Sequence, residues 1–316
     1  MNVLITATPF CENSLKPIKL LRANGINFTF YNKNIKTEKQ LIKLLKNKHI
    51  VIAGLEKYTK KVIKKSKSLK LISRVGIGLD NVNLEEADKN NILVTHTPDG
   101  PTLAVVEFTL GLMLSCSRLI HLSNLDIRNS KWQRYTGRRL EDSVIGIIGI
   151  GRTGKRVVKL LSNIGVKKIL INDIKYKNIN FKKSIIKTSK KNIYKKSDII
   201  SLHVPLTKKT SNLIAKKEFR LFKKNSILIN TSRGGIVNEN DLYLALKNKK
   251  LFSAAMDVFS TEPYNGRLKN LKNCLLTPHM ASMTKDCRIR METEAVEEAI
   301  RLVKKKKLKN IALKNI

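Results

Sequence analysis

Short apolar runs alternate with stretches of helical periodicity along almost the whole of this sequence, and this alternation is its most constraining feature. The first runs are NVLIT (2–6), NFTFY (27–31), HIVIAG (49–54), LKLISRVG (69–76) and ILVTHT (92–97). Short strands of this apolar kind, alternating with helices, are typical of parallel sheets covered on each side. We therefore predict an α/β fold built on a doubly wound parallel sheet.

A second series of the same kind follows a break at TPDGP (97–101) and a long helical pattern from Thr102 to about His121. Its strand candidates are 143–151, 168–173, 198–205, 226–231, 252–259 and 274–278. Residues 178–197 show no clear pattern and are left unassigned.

A helix is predicted after Ala281, to about Lys305, and it has nothing left to pack on unless it returns to the first series. We therefore predict two Rossmann-like or flavodoxin-like doubly wound domains with a cleft between them. The first is discontinuous, at 1–98 plus 285–316, and the second is inserted at 99–284.

The chain carries 63 Lys and Arg residues against 24 Asp and Glu residues, a net charge of +39. Nucleic-acid-binding surfaces usually gather basic residues on one stripe, often with aromatic residues among them. Here the lysines are spread over every segment and only 5% of residues are aromatic. We interpret the charge as solvated surface lysine that favours small anionic substrates, with no specific nucleic acid or membrane as a partner; a polyanion-binding surface is the minor alternative.

Cysteine usage and the first residues bear on the cellular setting. Cys11, Cys116, Cys274 and Cys287 have no metal-type spacing, so we expect a reduced, cytoplasmic protein without a metal site. The opening MNVLITATPF is typical of a first strand rather than of a signal peptide, and no run is long and apolar enough to span a membrane.

A glycine motif opens the second series. Gly149, Gly151 and Gly154 form G-x-G-x-x-G, with Arg152 and Thr153 inside it, between the apolar run VIGII and the helical pattern KRVVKLLSNIG. In this context the glycines allow a tight turn and a close approach to a pyrophosphate, and the helix N-terminus offers N–H groups to the phosphates. Asp173 ends the next strand, where a carboxylate binds ribose hydroxyls and repels a 2′-phosphate, so we predict NAD rather than NADP.

Three reactive side chains follow later strand candidates: Arg233 in NTSRGG, Glu262 in DVFSTEP and His279 in LTPHMAS. Each has a structural interpretation when taken alone, as a turn salt bridge, a loop charge or a strand-end histidine. Together they suit hydride transfer at a carbon bearing oxygen, because histidine exchanges the proton, a carboxylate favours its charged form, and arginine holds a substrate carboxylate.

The motifs of the chain, in their order, resemble those of the D-isomer-specific 2-hydroxyacid dehydrogenases. This family includes D-3-phosphoglycerate dehydrogenase, glyoxylate/hydroxypyruvate reductase and D-lactate dehydrogenase. The matching segments are RVGIGLDNVNL (74–84), VTHTPDGPTLAVVEFTLGLML (94–114), GIIGIGRTG (146–154), HVPLT (203–207), INTSRGGIVNENDL (229–242), AAMDVFSTEP (254–263) and LTPHMAS (276–282).

The resemblance implies a role for each domain and for individual residues. The discontinuous domain would bind substrate and the inserted domain NAD, usually in a homodimer formed through the NAD-binding domain. His279 would be the general acid/base, Glu262 its partner and Arg233 the carboxylate clamp. The implied cofactor contacts are His203 and Pro205 near the adenosine, and Thr231, Ser232 and Asp257 near the nicotinamide. The implied substrate contacts are the backbone N–H groups of Arg74, Val75 and Gly76. His203 and Asp257 also have structural interpretations, as a core histidine and a strand-end cap.

The substrate stays open. Phosphoglycerate dehydrogenases that resemble this chain often have Arg-Ser where it has Ala53-Gly54, which weakens a 3-phosphoglycerate assignment unless Lys57 or Arg74 compensates. A glyoxylate/hydroxypyruvate-type reductase and a non-catalytic, NAD-sensing corepressor are the alternatives. Because the sequence ends at Ile316, we expect a short form without the regulatory domain of long phosphoglycerate dehydrogenases. The related formate dehydrogenases have glutamine as the histidine's partner, which Glu262 disfavours.

Overall fold

The computed structural model describes residues 1–33, 35–98, 100–174 and 184–312. The chain divides into two compact units. The first consists of Met1–Pro101 and Ser282–Ile316, and the second of Thr102–Ala281.

Along the chain, the first unit contains β1 (Asn2–Ile5), α1 (Lys16–Ala23), β2 (Asn27–Phe30), α2 (Glu38–Leu45), β3 (Ile50–Ala53), α3 (Lys60–Lys65), β4 (Leu71–Arg74), α4 (Leu84–Lys89) and β5 (Leu93–Thr95). Then follow α5 (Pro101–Arg118), α6 (Ile120–Arg128), β6 (Val144–Ile148), α7 (Arg152–Asn163), β7 (Lys168–Asn172), β8 (Ile185–Lys187), α8 (Lys190–Lys196), β9 (Ile199–Leu202), α9 (Lys216–Leu221), β10 (Ser226–Asn230), α10 (Glu239–Lys247), β11 (Leu251–Met256), a short 3-10 helix (Arg267–Asn270) and β12 (Cys274–Leu276). The chain then returns to the first unit in α11 (Lys285–Val303).

Each unit is built on one parallel sheet. The first has the order β2-β1-β3-β4-β5 and the second the order β12-β11-β10-β9-β6-β7-β8. These are the flavodoxin-like and Rossmann-like doubly wound orders, so the predicted fold class is confirmed. The strand order reverses between β1 and β3 in the first sheet and between β6 and β9 in the second, and ligands of such sheets bind outside the carboxyl ends of the strands at these switch points.

The strands of the second sheet carry apolar side chains on both faces, and both faces are buried. Ile147 and Ile229 belong to one buried cluster, whereas the adjacent Ile148 and Leu228 belong to another. Successive side chains of a strand point to opposite faces, so the two clusters lie on opposite sides of the sheet. The continuous apolar runs of the sequence follow from this double burial.

The C-terminal helix packs within the first unit. The Ser73 hydroxyl at the end of β4 donates a hydrogen bond of 2.9 Å to the carbonyl oxygen of Ala295 in α11. Ala295, Val296 and Ala299 are buried. These small residues allow α11 to approach the sheet closely.

One local expectation was wrong, and one stretch that was left unassigned contains regular structure. The pattern from Thr102 to His121 is not one helix, because Leu119 adopts a left-handed conformation with φ of 53° and separates α5 from α6. The Ser117 carbonyl oxygen, in the last turn of α5, accepts the N–H of Arg138 at 3.1 Å. Its hydrogen-bond partner is therefore distant in sequence. The unassigned stretch 178–197 contains β8 and α8 in its described part.

No single helix in the described ranges is long and apolar enough to cross a membrane. Within the described residues, only α5 and α6 taken together reach the required length and composition, and they are bent by 64° at Leu119.

Candidate active site

The glycine motif forms the turn between β6 and α7, at the switch point of the second sheet. Gly149 has φ of 95°, and a Cβ there would collide with the carbonyl oxygen of His203, the residue that follows β9. A Cβ at Gly154 would collide with the carbonyl oxygen of Gly149. Only glycine allows these approaches, which hold the turn against the neighbouring strand.

This turn fits the pyrophosphate of a dinucleotide. Gly151 precedes α7 without a side-chain cap, so the N–H groups of the first turn are not satisfied by a capping side chain. A Cβ at Gly151 would meet no atom within 4 Å, which leaves open space over the helix N-terminus. Arg152 and Thr153 begin α7, and the N–H of Ile150 donates to Asp173 Oδ2 at 2.7 Å. The Asp173 carboxylate is thereby held beside the turn.

The remaining predicted cofactor residues lie at the same edge of the second sheet. Asp173 follows β7, His203 and Pro205 follow β9, and Thr231 and Ser232 follow β10. The Thr231 hydroxyl lies 2.9 Å from that of Thr109 in α5, which links the strand end to the helix. The carboxyl ends of parallel strands share one edge, so these residues surround the glycine turn.

His203 is a neutral histidine at physiological pH. Burial lowers its pKa to about 4, and its Nε2 lies 2.9 Å from the hydroxyl of Ser201. An uncharged ring next to the glycine turn is compatible with packing against an aromatic or ribose group, but it supplies no charge for binding phosphate.

We expect this histidine to make the protein less stable in acid. The pKa of histidine in the unfolded chain is ~6.5, whereas that of His203 in the folded protein is about 4. Between these two pH values the unfolded state binds more protons than the folded state, so the free energy of unfolding falls as the pH falls. Between pH 7 and 5 the loss attributable to His203 should be on the order of 2 kcal/mol. Urea unfolding of the wild type and His203→Gln at both pH values measures it, and equal pH dependence in the two proteins would contradict this assignment.

His279 and Glu262 form a hydrogen-bonded pair. His279 Nδ1 lies 2.8 Å from Glu262 Oε2, and the other oxygen of Glu262 accepts the N–H of Phe259 at 3.0 Å. Burial raises the pKa of Glu262, but the hydrogen bond and charge of His279, the Phe259 N–H and the charge of Arg233 lower it by more, so the net pKa lies below its usual value. Since a carboxylate only accepts, Nδ1 carries the proton and Nε2 is left for a reactant.

Arg233 belongs to a turn that packs against the loop carrying Glu262. A Cβ at Gly234 would collide with the Phe259 carbonyl group, so the two backbones touch at this point. Asn230 shapes the turn, because its Nδ2 donates to the Arg233 carbonyl oxygen at 3.0 Å and its Oδ1 accepts the Ser232 hydroxyl at 2.7 Å. Arg233 Nη1 donates to the Ser232 carbonyl oxygen at 2.6 Å.

Asp257 holds the loop that carries His279. Its carboxylate accepts the Thr277 hydroxyl at 2.6 Å and the N–H groups of Met280 and Ala281 at 2.9 and 3.0 Å. Its carbonyl oxygen accepts the N–H of His279 at 2.8 Å, which supports the left-handed φ of 52° at that residue. Burial raises the pKa of Asp257 despite these donors. The side chain is fully buried, so its described partners are protein groups rather than an exposed ligand surface.

The loop after β4, in the first unit, requires a correction. The N–H of Val75 donates to the Ala53 carbonyl oxygen at 2.9 Å, and the N–H of Gly76 donates to the Thr97 hydroxyl at 2.7 Å. These two N–H groups therefore already have partners and cannot be offered to a substrate carboxylate in this conformation. Arg74 is buried, and its guanidinium donates to the Val75 carbonyl oxygen.

Sequence reasoning missed three residues that shape the site. Asn230, Gly234 and Thr277 lie beside the predicted residues, and only their packing partners reveal what they do. The signal for Asn230 was available, since an asparagine at the start of a turn commonly accepts the backbone N–H two residues on, as it does here from Ser232.

Comparison with known proteins identifies the family. Residues 110–281 match the family model of the D-isomer specific 2-hydroxyacid dehydrogenase NAD binding domain. A glyoxylate reductase from Thermofilum pendens is 37% identical over 285 residues, which cover 85% of this chain and 82% of that protein. A D-3-phosphoglycerate dehydrogenase from Methanocaldococcus jannaschii is 34% identical over 280 residues, 87% of this chain but 53% of that protein, so the chain spans about half its length.

A solved structure extends the similarity to the three-dimensional level. The NAD-dependent formate dehydrogenase from Staphylococcus aureus, in complex with NAD, has a TM-score of 0.88 and 26% identity, with 100% of both chains covered. The family model names an NAD-binding domain, and this structure is NAD-dependent and contains NAD. The chain therefore belongs to the D-isomer-specific 2-hydroxyacid dehydrogenase family, and residues 110–281 are its NAD-binding domain.

Proposed function

We propose that the chain transfers a hydride between NAD(H) and a small D-2-hydroxy acid or its 2-keto counterpart. The observation that carries this proposal is the 2.8 Å distance between His279 Nδ1 and Glu262 Oε2. The positive charge of Arg233 also lowers the pKa of the Glu262 carboxylate. An acid/base and a cation at the edge where the glycine turn lies are the groups that this reaction needs. NAD, when bound, supplies or accepts the hydride.

His279 moves the proton in this proposal. In the reduction of a 2-keto acid, Nε2 donates a proton to the carbonyl oxygen while C2 receives the hydride, so the C=O double bond becomes a C–OH group. Glu262 accepts the Nδ1–H and stabilises the charged ring before transfer, and its lowered pKa keeps it ionised. In the oxidative direction the same atoms move in reverse.

Arg233 binds the substrate carboxylate in this proposal. A guanidinium can form two parallel hydrogen bonds with a carboxylate, which orients the adjacent carbonyl group. The close packing at Gly234 restricts the turn, so the arginine starts from a defined position. The first unit, 1–98 with 285–316 in our domain assignment, would bind the rest of the substrate.

Asp173 supports NAD over NADP as the preferred cofactor. Its carboxylate is fixed beside the glycine turn by the Ile150 N–H, where a 2′-phosphate would meet a like charge. Thr231 and Ser232 would line the nicotinamide side, and His203 and Pro205 the adenosine side.

A homodimer formed through the NAD-binding domain is part of the proposal. Apolar side chains of α6 and the segment after it are exposed, among them Ile120, Leu125, Ile127 and Trp132. Such a patch is typical of an interface. Sedimentation should give twice the chain mass of 35.9 kDa, and Ile127→Ser should shift the mass towards that of one chain. A wild-type protein that sediments at 35.9 kDa at micromolar concentration contradicts this expectation.

The test of the proposed function is an NADH-oxidation screen over hydroxypyruvate, glyoxylate, pyruvate, phosphohydroxypyruvate and longer 2-keto acids, repeated with NADPH. We expect turnover of at least one of these acids and a preference for NADH. A protein that binds NADH but turns over none of them would instead favour an NAD-sensing corepressor.

A further inference from the structure

A second carboxylate bonds to the loop that carries Glu262. Glu239 is the first residue of α10, and its Oε1 accepts the N–H of Ser260 at 2.7 Å. The preceding N–H of the loop, that of Phe259, donates to Glu262 Oε1 at 3.0 Å. Two carboxylates therefore accept successive N–H groups of one loop. The function proposed above uses Glu262 and assigns nothing to Glu239.

The peptide group between Phe259 and Ser260 is held from two sides. A Cβ at Gly234 would collide with the carbonyl oxygen of Phe259 and would lie 2.6 Å from the nitrogen of Ser260, so the turn of Arg233 lies directly against this peptide. The N–H of the same peptide donates to Glu239. Close packing limits how near the loop can come to the turn, and the hydrogen bond limits how far it can move away.

The backbone that carries Glu239 is itself fixed. Val237, two residues before it, is buried. Asn238 caps α10, since its side chain accepts the N–H of Asp241 at 3.0 Å, and its own N–H donates to the Ile214 carbonyl oxygen at 2.8 Å. The carboxylate thus extends from a capped helix start that is bonded to a neighbouring segment, and it can hold the loop rather than follow it.

Packing holds the start of the loop more firmly than the residues after it. The ring of Phe259 is buried and stacks on that of Tyr264, with the centroids 4.1 Å apart. Ser260 and Pro263 are exposed, so burial contributes little to their positions. The hydrogen bond from Glu239 acts at the point where the exposed part of the loop begins.

We propose that Glu239 is a positioning residue, which holds the loop through the Ser260 N–H in the place where Glu262 meets the imidazole of His279. The inference rests on the proposed function, because it concerns the acid/base pair of that reaction. Glu239 bonds to the backbone of the loop and therefore acts through Glu262. The role requires an oxygen at the right distance rather than a negative charge, since a neutral amide oxygen also accepts an N–H.

Three substitutions separate reach from charge. Glu239→Gln keeps an oxygen at the same distance, so kcat for 2-keto acid reduction should stay within about threefold of the wild type. Glu239→Asp keeps the favourable charge at the helix N-terminus but withdraws the oxygen by ~1.5 Å, beyond hydrogen-bond distance of Ser260. In Glu239→Asp and Glu239→Ala kcat should fall by ~10-fold, less than the ~10²-fold effect of a direct 1 Å displacement, because Phe259 still bonds to Glu262.

The loss should be confined to kcat. KM and the Kd for NADH should stay within about twofold of the wild type, because Asn230 still holds the turn of Arg233 through a 3.0 Å bond to its carbonyl oxygen. Asp241→Ala is the matched control. It removes a carboxylate from the same turn of α10, one that accepts the N–H of Lys216 at 2.9 Å, and it should leave kcat near the wild-type value.

Hydrogen exchange tests the contact without turnover. Mass spectrometry of peptides that cover residues 257–264 should show faster amide exchange in Glu239→Asp and Glu239→Ala than in the wild type and Glu239→Gln, because the Ser260 N–H loses its acceptor. Thermal unfolding checks that the variants are folded.

Four results would overturn the role of Glu239: wild-type kcat in Glu239→Asp and Glu239→Ala, unchanged exchange in these two variants, a Glu239→Gln variant as impaired as Glu239→Ala, or an equal loss of kcat in Asp241→Ala. An NADH screen without turnover overturns the proposed reaction instead. The exchange measurement then still decides whether Glu239 holds the loop.

Discussion

Replacing His279 with alanine should lower kcat for 2-keto acid reduction by ~10²–10⁴-fold while the Kd for NADH stays within about twofold of the wild type. In the proposed reaction the imidazole delivers a proton to the carbonyl oxygen, and Glu262 Oε2 lies 2.8 Å from its Nδ1, which leaves Nε2 for the reactant. The glycine turn that would hold the pyrophosphate contains no atom of this side chain. Stopped-flow kinetics and NADH fluorescence titration measure the two quantities separately.

His49 provides a matched control for this prediction. It lies in the first unit directly before β3, at the amino edge of the first sheet, where its Nδ1 accepts the N–H of Asn2 at 3.0 Å. His49→Gln should leave kcat near the wild-type value. A parallel loss of kcat and NADH affinity in His279→Ala would indicate a disturbed fold, and retention of kcat would remove His279 from the mechanism.

Replacing Asp257 with asparagine should lower kcat by ~10²-fold, since displacing a reacting group by about 1 Å can have an effect of that size. The carboxylate accepts three donors from residues 277–281, and an amide cannot accept at both positions, so the loop carrying His279 would shift. The free energy of unfolding should also fall, by about 1–3 kcal/mol, because a buried N–H loses its acceptor.

The affinity for NADH distinguishes the two roles considered for Asp257. If it positions His279, Kd for NADH changes little in Asp257→Asn; if it contacts the nicotinamide carboxamide, Kd rises together with the loss of kcat. Thr277→Val removes one of the three donors and should show a smaller fall in kcat in the same direction. A wild-type kcat in Asp257→Asn would contradict the positioning role.

The fold class followed from the sequence because its determinants are local and repeated. Alternating apolar runs specify parallel strands whether or not their neighbours are known, and a strand–glycine–helix pattern specifies the turn at Gly149. The exact ends of elements were less predictable. Leu119 interrupts a helical pattern, and the Ser117 carbonyl oxygen near the break is bound by Arg138, some twenty residues further along the chain.

For the candidate site too, positions were predictable and hydrogen-bond partners were not. The predicted strand ends placed Arg233, Glu262 and His279 at one edge of a sheet, since residues after parallel strands share that edge. Which groups those residues bond was not predictable, because the partners are distant in sequence. The N–H groups of Val75 and Gly76 look available in the sequence, yet Ala53 and Thr97 occupy them.

By itself the sequence determined the two doubly wound sheets, the glycine turn and the choice of candidate reactive side chains, because each depends on residue type and short-range spacing. Only the tertiary structure decided which hydrogen-bonding groups are already satisfied: Asp257 by the loop of His279, and Glu56 by Thr6 and Tyr58. Such pairings depend on how separate strands are brought into register, and a hydrogen bond forms only within about 3.5 Å, a distance that spacing along the chain does not encode.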